Sequence, residues 1–340
     1  MLLLGIESSC DETAIAVVKD GRDVVASNVY SQIEVHSVFG GVVPEVAARE
    51  HLKVIDSMTK QTLQESKTTI DRIDAIAVTQ GPGLIGALLV GISYAKGLSQ
   101  SSGKPLIPVN HVHAHVHGAL LGLGSDHDVI FPCISAVVSG GHTNLYYMKS
   151  PTSFELLAYS IDDACGESFD KVAKLLNLGY PGGPKIEKLA KSGNPKSYPM
   201  PVMVEQKTRL QFSYSGLKTY MVNLINRENA PFSGDRLADL CASFQEEALG
   251  QLIRKMKAAL ELKPDTRSIL IAGGVAANHR FKELVSNSIK VPAMFPETRF
   301  CSDNAAMIAA CGYHICQDLR GQNLPLPDPD WDAFSRYKYI

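Results

Sequence analysis

Apolar residues in this chain gather into short continuous runs separated by small polar loops. Residues 2–6 read as a buried strand, Glu7-Ser8-Ser9-Cys10-Asp11-Glu12 as a loop and residues 13–18 as a second strand, closed by the turn Lys19-Asp20-Gly21. About 130 residues later the pattern returns: a strand over 132–138, the loop Ser139-Gly140-Gly141-His142, and a strand over 143–148. The recurrence predicts two lobes built on one plan; the competing account is chance, since hairpins with small-residue turns are common. Helical spacing marks residues 45–67 and 86–102 between the two copies, and 166–178, 184–192, 215–227 and 235–262 after them. Strands are expected at 75–78 and 268–272, with helices from near 277 and over 305–315. The last 20 residues, with Pro325, Pro327 and Pro329, read as an extended tail. Strands interleaved with helices in both halves predict α/β lobes. The expected division is 1–130, to which the tail 321–340 can return, and 131–320, carrying a helical insertion at about 166–262.

Composition narrows this little. A chain of 340 residues exceeds what one core usually supports, which favours two lobes. Its 45% hydrophobic and 20% charged residues are those of an ordinary globular protein. A net charge of −2 excludes a broad basic face, so any RNA binding must come from a local patch or from partner subunits. Seven scattered cysteines without a C-x-x-C pair exclude a disulfide framework and a cysteine-rich zinc site, and fit reduced thiols in the cytoplasm. The opening MLLLGIESSCDE has too short an apolar run for a secretory leader. Residues 84–98 are interrupted by Gly86, Gly91, Lys96 and Gly97, so a packed helix is expected there rather than a membrane span.

Chemistry concentrates in a few places. His111, His113, His115 and His117 put four imidazoles in seven residues. On a helix, His111 pairs with His115 and His113 with His117, and two imidazoles on adjacent turns can reach one metal ion. Spacing does not choose between the pairs, and an exposed polar helix face is the bland alternative. The glutamate of H-E-x-x-H is absent, which speaks against a zinc peptidase. Asp303, in Ser302-Asp303-Asn304, is either a third ligand or the cap of the helix that follows. The loop 139–142 and Gly273-Gly274-Val275-Ala276-Ala277-Asn278 let backbone N–H groups approach an anion. With the first loop they make three polar loops at strand ends, the arrangement by which actin-like ATPases hold a nucleotide. The acidic stretch from Asp162 to Asp170 offers a carboxylate for a ribose or substrate hydroxyl, or only a favourable helix start. Lys185, Lys188, Lys191, Lys196, Lys207, Arg209 and Lys218, with Tyr198, Phe212, Tyr214 and Tyr220, suit an RNA backbone, or a solvated face along a core edge.

In order, the segments GIESSCDET, GGVVPEVAAREH, TQGPGLIGALLVG, NHVHAH, VSGGHT, DDACGESFDKVAKLLNLGYPGGP, FSYSGLKT, IAGGVAAN and FCSDNAAMIA resemble the tRNA threonylcarbamoyladenosine transferase family, TsaD in bacteria, formerly described as O-sialoglycoprotein endopeptidase. The GGVVPE and YPGGP versions are of the bacterial or organellar kind. The resemblance implies a two-lobed actin/hexokinase-like (ASKHA) fold with duplicated mixed-sheet domains. It implies one divalent metal ion, Fe2+ or alternatively Zn2+, held by His111, His115 and Asp303. His113 and Ala114 stand where the family usually has a glutamate and a glycine, which adds an imidazole near the metal. The substrate pocket is implied at Val138, Ser139, Gly140, Gly141 and His142, with Asp170, Gly183, Glu187 and Asn278 on the nucleoside.

The implied reaction transfers threonylcarbamoyl from threonylcarbamoyl-AMP to the exocyclic amine of the adenosine 3′ to the anticodon in ANN-decoding tRNA. For Glu12 only its position in the first loop suggests a role, orienting that amine. Implied partners are tRNA, an inactive paralogue of the TsaB type and a small ATPase of the TsaE type, with no membrane. The rival readings are an ATPase or sugar kinase of the same fold, which has no use for the histidine pair, and a non-catalytic scaffold, which would lack the ligands.

Overall fold

The computed structural model describes residues 1–121, 130–203, 210–228 and 232–336. It divides the chain into two units, Met1–Asp128 with Pro296–Ile340, and Val129–Phe295.

In the first unit, β1 (Leu2–Glu7), β2 (Glu12–Lys19) and β3 (Asp23–Ser31) form an antiparallel meander. After α1 (Ile33–Ser37) and α2 (Pro44–Glu65), β4 (Ala75–Gly81) joins β1 in parallel. Next come α3 (Ile85–Ser102), β5 (Leu106–Asn110), parallel to β4, and α4 (His111–Leu120). The sheet order is β3-β2-β1-β4-β5. The run Leu2-Leu3-Leu4 is continuous because both sheet faces are covered. Leu4, Ile6, Ile15 and Val17 pack with Ile55, Met58 and Leu88 of α2 and α3. Leu3, Ala14, Ala16 and Ala77 face the opposite way, onto the last helix, α10 (Ala305–Gly321).

That helix corrects the expected division, which placed residues up to 320 in the second lobe. Its face of Ala305, Ala309 and Gly312 is small enough to lie directly on the first sheet. A Cβ on Gly5 would collide with the Ala305 carbonyl, and one on Gly312 would come within 2.6 Å of Ala77 Cβ. The tail also packs in this unit: Gln80 Nε2 donates to the Asp332 carbonyl at 2.9 Å, and Lys96 Nζ to that of Trp331 at 2.8 Å. Residues 337–340 lie outside the described residues.

In the second unit, β6 (Cys133–Val138), β7 (Thr143–Met148) and β8 (Glu155–Ser160) repeat the antiparallel meander. A mostly helical stretch follows: α5 (Cys165–Leu175), α6 (Gly182–Ala190), the short β9 (Gln211–Phe212), α7 (Ser215–Arg227) and α8 (Gly234–Leu262). Then β10 (Ser268–Ala272) pairs in parallel with β6, and α9 (His279–Ser288) leads to β11 (Ala293–Met294), parallel to β10. The order is β11-β10-β6-β7-β8-β9. Reading β6, β7, β8, β10 and β11 as first to fifth, both sheets have the order 3-2-1-4-5 with the same strand directions, so the repeated sequence pattern is a repeated topology. Strands β3, β5, β8, β9 and β11 were not expected from the sequence. Among the described residues no helix is long and apolar enough to cross a membrane.

Candidate metal centre and adenylate cradle

Helix α4 starts at the carboxyl end of β5, where Asn110 caps it by accepting from Val112 N at 2.9 Å and His113 N at 3.2 Å. One turn separates His111 from His115, so their rings share a face with centroids 4.8 Å apart. Asp303 meets both: its Oδ1 lies 3.2 Å from His115 Nε2 and 3.7 Å from His111 Nε2. Each residue offers a ligand atom within 4.8 Å of the others, and among the described residues no other group of three His, Cys, Asp or Glu does so. Geometry thus separates the two histidine pairs. His117 faces elsewhere, its ring 5.0 Å from that of His314, and burial pushes His113 down to about 4. Asp303 does not cap α10. That role belongs to Asn304, whose Oδ1 accepts from Met307 N at 2.9 Å.

Behind the trio stands Glu7, which the sequence reading passed over. It is 0% exposed and ends β1. Its Oε1 accepts from Ser9 N; its Oε2 accepts from Thr79 Oγ1 at 2.7 Å and lies 3.0 Å from His111 Nδ1. An ionised carboxylate only accepts, so His111 carries a proton on Nδ1, and its Nε2 faces Asp303. Burial pushes Glu7 up, but the charge and hydrogen bond of His111 outweigh it and hold the carboxyl below its ordinary value. Burial likewise pushes His111 down, and Glu7 with Asp303 overcomes it, raising the imidazole to about 9. Apart from the 3.2 Å approach of Asp303 Oδ1 to Nε2, both ring nitrogens of His115 are buried without a hydrogen-bond partner. A buried imidazole in that state asks for a ligand. Two imidazoles and a carboxylate fit one metal ion of the imidazole- and oxygen-binding kind. No thiol joins them among the described residues, and burial, then Asp11 and Asp303, pushes the Cys10 thiol up.

Glu12 opens β2 near this centre. Burial first, then the charges of Asp303 and Asp11, raises its carboxyl to about 10. Glycine shapes the neighbouring wall: a Cβ on Gly83 would come within 2.6 Å of the Ser9 carbonyl, and Leu84 N donates to that carbonyl at 2.8 Å.

The remaining site residues lie in the second unit. Val138 ends β6, and Ser139 N donates to the His142 carbonyl at 2.8 Å while His142 N donates back to Ser139 Oγ at 3.1 Å. Gly140 and Gly141 at the turn tip have open space where a side chain would be. Two other glycines close on this turn: Cβ atoms at Gly166 and Gly273 would come within 2.6 Å of the Ser139 carbonyl and 2.5 Å of the Val138 carbonyl. The carboxyl ends of parallel β6 and β10 and the start of α5 thereby meet at a glycine-lined turn, at the end of the sheet where such sheets bind ligands. Asp170 Oδ1 accepts from Gly182 N at 2.7 Å and fixes the start of α6; the close approach is at Gly182, and Gly183 is open. Glu187 Oε1 accepts from His279 N at 2.9 Å, and Asn278 Oδ1 caps α9 through Phe281 N at 2.9 Å. Asn278 Nδ2 donates to Gln245 Oε1 at 2.9 Å.

Other sequence candidates prove structural. Asp162 accepts from Ser213 Oγ at 2.6 Å and Tyr214 N at 2.7 Å, holding the entry to α7; Asp163 pairs with Lys171 and Lys218. Phe212 and Tyr214 are buried core and offer no stacking platform. Lys207 and Arg209 lie outside the described residues.

A family model described as TsaD: tRNA N6-adenosine threonylcarbamoyltransferase matches residues 23–310. Proteins of that name are similar to this chain. The one from Fusobacterium nucleatum is 44% identical over 326 residues, 95% of this chain and 93% of the relative. That of Symbiobacterium thermophilum is 46% identical over 317 residues, covering 92% and 91%, and that of Clostridium novyi 45% over 328, covering 95% and 94%. Among solved structures, full-length HypF in its phosphate- and nucleotide-bound form overlays with a TM-score of 0.61 at 13% identity, over 95% of this chain and 47% of that one. Component A of the Acidaminococcus fermentans (R)-2-hydroxyglutaryl-CoA dehydratase gives 0.53 at 13% identity, over 93% and 99%. At that identity these two share the fold alone.

Proposed function

Since this chain belongs to the tRNA N6-adenosine threonylcarbamoyltransferase family, we propose that the transfer it catalyses takes place at His111, His115 and Asp303, which hold one divalent ion. The observation that carries this is the convergence on Asp303 of an imidazole oriented by a buried carboxylate, Glu7–His111, and the otherwise unpartnered imidazole of His115. Two imidazoles with one carboxylate suit Fe2+, with Zn2+ the alternative. Such an ion, when bound, supplies a Lewis acid for the threonylcarbamoyl oxygens.

The chain's own residues do the rest. The cradle of Val138, Ser139, Gly140, Gly141 and His142 takes the phosphate of threonylcarbamoyl-AMP on backbone N–H groups. Asp170, Gly183, Glu187 and Asn278 address its nucleoside, the two carboxylates as acceptors for its hydroxyl groups. The exocyclic amine of the tRNA adenosine forms a bond to the carbamoyl carbon, the carbon–oxygen bond to phosphate breaks, and AMP departs as the amine gives up a proton. Glu12, in the first loop, orients that amine. A net charge of −2 leaves tRNA binding to a shared surface, which supports partners of the inactive-paralogue and small-ATPase kinds. A tRNA substrate supports a cytoplasmic location.

The test is mass spectrometry of nucleosides from unmodified ANN-decoding tRNA incubated with the protein, threonylcarbamoyl-AMP and both partners, beside Asp303→Ala. Product in the wild-type sample alone is expected. Equal product from Asp303→Ala would remove Asp303 from the centre.

A further inference from the structure

One buried polar group has no part in the reading above. Thr13, Gln32, His36 and His51 are all 0% exposed and lie in one polar cluster in the first unit, whose two hydrogen-bonded pairs, Thr13–His51 and Gln32–His36, meet where Gln32 Nε2 lies 3.5 Å from His51 Nδ1. A carbonyl only accepts, so the 3.0 Å contact between His51 Nε2 and the Cys10 carbonyl fixes a proton on Nε2. Nδ1 then carries the lone pair and accepts from the Thr13 hydroxyl at 2.7 Å. At the far end Val43 N donates to His36 Nδ1 at 3.3 Å, so His36 donates from Nε2 to Gln32 Oε1 at 3.0 Å. That orients the Gln32 amide, whose Nε2 donates to the Ala47 carbonyl at 3.4 Å. The backbone N–H of Gln32 donates to the Asp11 carbonyl at 3.0 Å. Burial keeps His51 neutral by pushing it down, against the upward pull of the Cys10 carbonyl, Glu7 and Asp11.

Each named donor faces an acceptor, with Thr13 Oγ1 and Gln32 Nε2 sharing His51 Nδ1. A fully satisfied buried network fixes geometry above all. What it fixes here is a pair of adjacent carbonyls, Cys10 and Asp11, in the turn between β1 and β2. The same loop reaches the metal centre through Ser9, whose Oγ lies 3.2 Å from His111 Nδ1. Glu12, one residue beyond Asp11, lies in the field of Asp303.

We propose that His51 is a positioning residue for the transfer, holding the Cys10–Glu12 turn in register with His111, His115 and Asp303 through its grip on the Cys10 carbonyl. The inference rests on placing the reaction at that centre. Its test uses full-length His51→Leu, His51→Gln and Thr13→Val, with His111→Ala beside them. For each, kcat and the KM for threonylcarbamoyl-AMP are measured in the complete reaction. The Co2+ affinity of the metal-free protein is read separately by absorption.

In His51→Leu the Cys10 carbonyl loses its donor, and kcat is expected to fall about 10- to 100-fold, the cost of sub-ångström to ångström misplacement. KM and Co2+ affinity should stay within about threefold, because Glu7, Ser9 and His111 are untouched. His51→Gln, whose amide N–H can reach the same carbonyl, should recover much of the loss. If His51→Leu does not fold, Thr13→Val carries the test, with a fall in kcat of roughly 3- to 10-fold at unchanged Co2+ affinity. Wild-type kcat in all three variants would overturn the proposal, as would a loss that glutamine does not recover and that tracks melting temperature. An active His111→Ala would instead sink the placement of the reaction at this centre.

Discussion

Replacing Glu7 by glutamine separates orientation of the metal ligand from charge. The carboxylate accepts on both oxygens, from Ser9 N on one and from Thr79 and His111 on the other. Glutamine has one acceptor oxygen, so at least one donor in a fully buried site goes unmet, at about 1–3 kcal/mol. Losing the carboxylate behind a metal-binding histidine costs about 10- to 100-fold in metal affinity. A second effect opposes it. With His111 raised to about 9, a metal must displace a bound proton at pH 7, which weakens wild-type binding by roughly 50-fold relative to pH 9. Glutamine at position 7 lets the His111 pKa fall and relieves part of that competition. Zn2+ affinity of the metal-free proteins, measured against a chromophoric chelator at pH 7 and pH 9, should therefore show the larger deficit at pH 9. Equal affinities at pH 9 would refute the argument that Glu7 orients His111. A deficit that is larger at pH 7 would refute the proton competition.

Two further outcomes follow from packing and burial. Gly5→Val drives a side chain into the Ala305 carbonyl of α10 and should destabilise the fold by about 3 kcal/mol or more, read as a lowered urea midpoint; an unchanged midpoint would mean α10 does not lie on β1 this closely. His314 is pushed down to about 4 by burial and then by the charge of Arg22. The unfolded chain takes up its proton first as pH falls, so stability rises with pH between about 4 and 6.5 and is lost in the acid direction, by at most about 1.4 kcal/mol per pH unit. His314→Gln should flatten that slope in denaturation curves at pH 5 and 7, and an unchanged slope would assign the acid loss to other groups.

The strand–loop–strand pattern was legible because each strand is apolar on both faces and each loop is small and polar. The two histidine pairs were not separable, since any helix puts both on faces and only the approach of α10 says which face meets a carboxylate. Asp303 stood between ligand and cap in the sequence, and the structure gives the cap to Asn304. Glu7 carried a signal that went unused: an acidic residue closing an apolar strand is buried unless the strand stops short. Strand β3 alternates exposed and half-buried positions, Asp23 to Ser31, and such an edge pattern is weaker than a continuous run. The place of α10 was invisible because a helix of alanines and glycine states that it packs closely without stating against what.

The first unit is discontinuous, and synthesis runs one way. Strands β1 to β5 leave the ribosome early, but Leu3, Ala14, Ala16 and Ala77 wait for their cover until residues 305–321 are made. At about 5–20 residues per second that delay is on the order of 10–40 s, during which the second unit, continuous in the chain, can complete itself. Asp303 arrives with the same segment, so a chain broken off before it carries two histidines, an uncovered sheet face and no third ligand. Completion of the proposed metal centre and closure of the core are thus one late event, and a truncated product is marked by exposed apolar surface that chaperones and proteases recognise.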